Sequence, residues 1–252
     1  MAAEIISKKN QNAMSTSKTY YLPNYINFYN ANSIESLAFK MSENIGFILE
    51  KAIKKKGYAS LAVSGGRTPK FLFEELSQLN LNWSKIELTL VDDRWVDSNH
   101  EDSNEFLVRS HLIKNKASKV KFLPFKNKNK TAKSGHKFIE KNFKQLNLPL
   151  DVVVLGMGLD GHTASLFPCS KEISHGLSRD NSNNLIAVTP KNAPYERISL
   201  TAQVILKAEN LMLLINGSDK LYILQKAMKC KNEKKMPIYT FLQSELNIYW
   251  CP

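Results

Sequence analysis

Cysteine and arginine are scarce in this chain, and long apolar runs are missing. Three cysteines in 252 residues, Cys169, Cys230 and Cys251, are odd in number and far apart. That argues against a disulfide framework, and none stands in the CxxC spacing of a zinc site. No apolar stretch approaches the ~20 residues of a membrane-spanning helix. The opening MAAEIISKKNQNAMSTSKTYY lacks the apolar core of a secretory signal and contains no arginine. Residues 1–20 therefore read as a mobile tail, and the expected location is cytoplasmic, in a reducing compartment. No helix-turn-helix precedes residue 25, which disfavours a sensor fused to a DNA-binding segment.

What is present is an ordinary globular composition, 43% hydrophobic and 23% charged, long enough for one large α/β domain over residues 21–252. Charge is unevenly placed. The chain carries a net +12, and residues 114–144 hold eleven lysines against the single acid Glu140. Such a run neutralises phosphates in nucleic-acid binders. Here it has no arginine, no interleaved aromatic platform and no recognisable binding motif, so it reads as a solvated surface and no nucleic-acid partner is expected. The five arginines (Arg67, Arg94, Arg109, Arg179, Arg197) are the rarer choice, and their planar forks suit phosphate.

Short apolar strands alternate with helices. YINFY (25–29) opens the series. A helix capped by Asn32 or Ser33 follows, with apolar residues from Ile34 to Ile53 at helical spacing and Gly57 just past its end. YASLAV (58–63) leads through SGGRT into a helix from Pro69 to about Leu79. IELTLV (86–91) enters an acidic loop and a helix near 104–113. KVKFL (119–123), DVVVLGMG (151–158), LIAV (185–188), RISLT (197–201) and NLMLLI (210–215) are further strands. A helix over 218–229 and a strand at NIYW (247–250) close the chain. The pattern predicts an α/β fold, a mostly parallel sheet with helices on both faces. Ligands in such sheets bind beyond the carboxyl ends of the strands, which directs attention to the loops there.

Three of those loops carry chemistry. In Ser64-Gly65-Gly66-Arg67-Thr68-Pro69, paired glycines let backbone N–H groups approach a ligand, a helix start adds partial positive charge, and Thr68 adds a hydroxyl. Asp92-Asp93-Arg94 sets carboxylates beside a rare arginine, a combination that positions a sugar hydroxyl and a phosphate together. Its bland alternative is a self-neutralising loop that caps the next helix through Asp102 or Ser103. Gly156-Met157-Gly158-Leu159-Asp160-Gly161-His162 delivers an Asp and a His two residues apart at a strand end, and a histidine takes a proton from water near neutral pH. His100, His111, His136 and His175 lack such a setting and read as structural or merely exposed. Arg197 and Lys220, the latter beside Gly217 near a helix start, fit the same pocket. His162 has no companion at metal-ligand spacing, no metal or other cofactor is called for, and no GxSxG elbow is present.

Together SGGRTP (64–69), DDRWV (92–96) with DSN (102–104), GMGLDGHTASLFP (156–168), PYERISLT (194–201) and Gly217 with Lys220 resemble the 6-phosphogluconolactonases, in that family's order and over roughly residues 25–250. Asp93 departs from the family's more frequent glutamate. The resemblance implies a fold shared with glucosamine-6-phosphate deaminases and ribose-5-phosphate isomerases. It also implies metal-free hydrolysis of 6-phospho-D-glucono-1,5-lactone in the pentose phosphate pathway. On this expectation His162 is the general base, Asp160 orients it or the water, and Asp92 binds a sugar hydroxyl. Arg94, Arg197, Lys220 and the Gly65-Gly66-Arg67-Thr68 loop hold the 6-phosphate. The rival within the fold, a deaminase, continues its DGH loop toward a glutamate that TASLFP does not supply. The expected partner is a small sugar-phosphate lactone, with no membrane partner and a monomer as the working expectation.

Overall fold

The structure, a computed structural model, describes Ile5–Ile6 and residues 20–252. The tail expected over residues 1–20 lies outside these, apart from Ile5–Ile6 and Tyr20; Ile5–Ile6 pair in parallel with Tyr20–Tyr21. A seven-stranded sheet forms the centre, in the spatial order Ile26–Asn30, Leu246–Cys251, Leu211–Asn216, Val152–Leu155, Ala59–Val63, Ile86–Leu90, Lys121–Leu123. Every pairing in it is parallel. Ala59–Val63 and Val152–Leu155 are buried at every position, as expected of strands covered on both faces. The alternation of local elements is thus converted into one core, where each fully buried Leu, Ile or Val contributes about 1.5–3 kcal/mol.

The helices form where the sequence carries caps. Ser33 accepts from the Ser36 N–H at 3.2 Å to start Ile34–Lys56, and the Gly57 N–H bonds the Ile53 carbonyl at its end. That helix buries Leu37, Met41, Ile45 and Leu49 against the sheet. At its last turn Lys56 pairs with the buried Asp151 at 2.7 Å. The helix after SGGRT begins at Arg67 rather than Pro69, so Thr68 lies in its first turn and Gly66, at φ 121°, is the cap. No described helix is long and apolar enough to cross a membrane.

The strand order places a topological switch. From Ala59–Val63 the chain winds outward through Ile86–Leu90 to Lys121–Leu123, then returns to Val152–Leu155 and winds the opposite way. Residues Leu61–Val63 and Val152–Val154 are in register side by side, so the SGGRT and GMGLDGH loops leave the sheet at the same point, the crevice where such folds take ligands.

One sequence expectation is corrected. Asp92–Arg94 is a strand, not a loop. It and the strands Arg197–Leu200 and Leu185–Val188 form a separate three-stranded antiparallel sheet outside the parallel one. The chain passes from Ile86–Leu90 through Val91 straight into this second sheet, so its first strand starts at the carboxyl edge of the first.

Candidate active site

Antiparallel pairing sets Arg197 opposite Arg94, Ile198 opposite Asp93 and Ser199 opposite Asp92. Side chains alternate between faces of a strand. Asp92, Arg94 and Arg197 accordingly line a cleft of about 140 Å³, together with Gly65, His162, Ser64, Asn104 and Phe167, while Asp93 faces the other way. Its carboxylate accepts from the backbone N–H of Arg94 and Asn104, both at 2.7 Å, and of Glu105 at 3.1 Å. Asp93 therefore anchors the start of the helix Asn104–His111, which Ser103 also caps through the Phe106 N–H. Burial pushes the Asp93 carboxyl up to about 6, against the pull of those N–H groups. The carboxylate thus reaches three backbone donors directly.

The glycine-rich loop forms the opposite wall. His162 Nδ1 lies 2.5 Å from Asp160 Oδ1, and the His162 backbone N–H donates to the same oxygen at 3.1 Å. With Nδ1–H given to the carboxylate, Nε2 carries the lone pair. Partial burial opposes ionisation of Asp160, but the His162 hydrogen bond and charge prevail and hold its carboxyl below the usual range. The imidazole rests on Phe167, ring centroids 4.2 Å apart, and over Gly158, where an added Cβ would come within 2.2 Å of Cε1 and Nδ1. Only glycine leaves room for the ring there. Thr163 ties the loop to the Gly156 carbonyl at 2.7 Å, and Ser165 donates to Asp92 Oδ2 at 2.6 Å, linking the two walls.

The arginines are less occupied. Arg94 Nη1 donates to the Asp102 carbonyl at 2.5 Å and Arg197 Nη2 to that of Pro194 at 3.0 Å. Both buried Nε atoms and the Ser64 hydroxyl lack a hydrogen-bond partner, although buried donors are nearly always paired. Among the described residues no carboxylate oxygen lies within 4.0 Å of either guanidinium, in contrast to Arg109 and Arg179. Neither cleft arginine is therefore in contact with a carboxylate. Burial pulls Arg197 below the ordinary arginine value and Arg94 adds to this, while Asp92 opposes it. Ala164, which lines the cleft, holds a positive φ of 51°, a conformation uncommon in non-glycine residues.

The remaining expected residues stand at the rim. Lys220 donates to the Met157 carbonyl at 2.6 Å. Burial lowers its ammonium from the ordinary lysine value, Asp160 and Asp219 oppose this, and the nearby Arg67 adds to it. Lys220, Gly66, Arg67, Thr68 and Asp160 do not line the cleft itself; Arg67 and Gly66 are exposed. Ser64, Asn104 and Phe167 were not singled out as site residues. For Ser64 and Phe167 the only signal was their place inside SGGRTP and GHTASLFP. The other histidines stand elsewhere. His111 pairs with Glu74 at 3.1 Å, His136 bonds the Leu185 carbonyl, His100 Nδ1 accepts from Asp102, and His175 is exposed.

A family described as glucosamine-6-phosphate isomerases/6-phosphogluconolactonase matches residues 32–250. The chain belongs to this family. It is 37% identical over 204 residues to a 6-phosphogluconolactonase of Pseudomonas aeruginosa, covering 81% of this chain and 86% of that one. A crystal structure of a 6-phosphogluconolactonase from Shewanella baltica superposes with a TM-score of 0.88 at 36% identity, covering 90% of this chain and 98% of that one. A monomeric glucosamine-6-phosphate deaminase shares the fold, with a TM-score of 0.73 at 16% identity over 89% of this chain and 97% of that one. The predicted α/β fold and the resemblance read from the motifs are thereby both met.

Proposed function

We propose that this chain hydrolyses 6-phospho-D-glucono-1,5-lactone to 6-phospho-D-gluconate, the ring-opening step of the oxidative pentose phosphate pathway. The observation that carries the reading is the convergence, on one cleft, of an imidazole oriented by a carboxylate and two guanidiniums whose buried Nε–H groups are unpartnered. A δ-lactone is an activated ester, so positioning, a base for water and oxyanion stabilisation suffice.

In this mechanism His162 Nε2 takes a proton from water as its oxygen attacks C1, and the Asp160 carboxylate stabilises the imidazolium. The tetrahedral intermediate collapses with cleavage of the bond between C1 and the ring oxygen. His162 returns its proton to that oxygen, which becomes the C5 hydroxyl, and the new carboxylic acid ionises. Gly158 and Gly161 N–H groups bond within the loop, to the His162 and Gly158 carbonyls, so the oxyanion falls to other backbone donors of the wall. Arg94, Arg197, Lys220 and the Gly65–Thr68 loop hold the phosphate, each charge-assisted bond contributing roughly 1.5–3 kcal/mol. Asp92 Oδ2 is taken by Ser165, and the Asp92 carboxylate is assigned to a sugar hydroxyl.

The test is a coupled assay on freshly generated lactone, because the ring also opens spontaneously. Acid production well above that background supports the reading. A rate at background, or ammonia released from glucosamine-6-phosphate, overturns it.

A further inference from the structure

One feature singled out in the sequence has no part in that chemistry, the lysine-rich segment. Its strand Lys121–Leu123 runs parallel to the rest of the sheet, so the residues after Leu123 emerge at the carboxyl edge, where the cleft is. The loop from Pro124 to Thr131 and the start of the helix Ala132–Phe143 are clamped to the residues that flank the cleft arginines. Trp95, next to Arg94, donates its indole N–H to the Asn129 carbonyl at 3.1 Å. The Lys126 ammonium sits 4.6 Å above the Trp95 ring. Glu196, next to Arg197, accepts the Ala132 N–H at 2.7 Å, and its carbonyl accepts the Trp95 N–H at 2.7 Å. A Cβ on Gly135 would strike the Trp95 ring, so helix and indole are in close contact.

Resting on the lactonase reading, we propose that this clamped loop is an electrostatic lip, whose Lys128, Lys130 and Lys133 draw the dianionic sugar phosphate into the cleft. All three are exposed, and among the described residues none forms an ion pair with a carboxylate. Lys133 lies in the first turn of its helix, which has no acid of its own, beside the Glu196 carboxylate that accepts the Ala132 N–H. The lip also offsets the acids on the same side, since Glu101 and Asp102 act on Tyr195 and Glu196 lies under the loop. Clefts bordered by one sign of charge raise the local concentration of an oppositely charged substrate.

The experiment compares kcat/KM for the lactone across ionic strength in the wild type and two triple variants of equal charge loss. One is Lys128→Gln/Lys130→Gln/Lys133→Gln. The other is Lys116→Gln/Lys119→Gln/Lys121→Gln, three exposed lysines at the opposite, amino edge of the sheet. The lip triple should lower kcat/KM on the order of fivefold at ~10 mM ionic strength, where charges act over ~30 Å. It should leave kcat unchanged and converge with the wild type at ~1 M, where they act over ~3 Å. The amino-edge triple should do much less. Identical salt curves for wild type and lip triple, or equal losses in the two triples, would overturn the proposal. So would unchanged lactone kinetics with lost retention on duplex DNA, which would assign the lysines to nucleic acid. Should the wild type not hydrolyse the lactone, the activity reading fails, and the same salt series is read by calorimetric binding of inorganic phosphate.

Discussion

The two walls of the cleft are built on opposite terms. The glycine-loop wall hangs from the parallel sheet, and its hydrogen bonds are largely closed within itself. His162 is bonded to Asp160, Gly158 to the His162 carbonyl, and Thr163 to Gly156. The arginine wall comes from the small antiparallel sheet and leaves two buried Nε–H groups open. An internally satisfied wall holds a reacting group in one geometry. A wall with unmet donors gains most when an anion arrives, since leaving such donors buried costs about 1–3 kcal/mol each. Under the proposed lactonase reading, chemistry belongs to one side and substrate binding to the other, and the two should fail differently when altered.

The largest expected effect is on the chemical wall. His162→Ala should lower kcat by ~10²–10⁴ with little change in KM; steady-state kinetics read both. Gly158→Ala leaves every catalytic group present but drives a methyl into the imidazole, and a displacement of that kind should lower kcat on the order of 10²-fold. An unchanged kcat in Gly158→Ala would mean that the ring's position is not what matters.

Changes on the other wall should appear in KM. Arg197→Ala is expected to reduce kcat/KM by roughly 10- to 100-fold through KM, with Arg197→Lys intermediate because the charge remains and the fork is lost. The smallest effect is a pH dependence. In the proposed role Lys220 binds the phosphate only while protonated, and its folded value lies below the ordinary 10.5. Affinity for 6-phosphogluconate should therefore weaken, by up to about tenfold, as pH rises through a point below 10.5. Titration calorimetry across that range should show the loss in the wild type and its absence in Lys220→Arg.

The sequence displayed one wall far better than the other. GMGLDGH is contiguous, so His162 and Asp160 could be paired from spacing alone. The other wall depends on Arg94 and Arg197, which are distant in the chain and meet only through strand register. Asp92–Arg94 has no apolar alternation to mark it as a strand, and it read as a loop. Asp93 looked like half of a carboxylate pair, yet the pleat sends it to the N-terminus of the helix Asn104–His111. Apart from the Ser103 hydroxyl at 3.3 Å, its partners are backbone N–H groups, which no side-chain pattern reveals. Gly66 illustrates the same limit at a helix start, because proline at position 69 suggested a later first turn than the chain adopts. The central strands were legible because full burial on both faces demands continuous apolar runs. Their spatial order, and hence the switch point that joins SGGRT to GMGLDGH, follows from pairing that local patterns do not encode.

The most direct measurement is the affinity of catalytically impaired His162→Ala for 6-phosphogluconate, determined by calorimetry beside Arg197→Ala. The account predicts a Kd within about twofold of the wild type for His162→Ala and a loss of ten-fold or more for Arg197→Ala. Equal weakening in both variants would contradict the division of labour between the two walls.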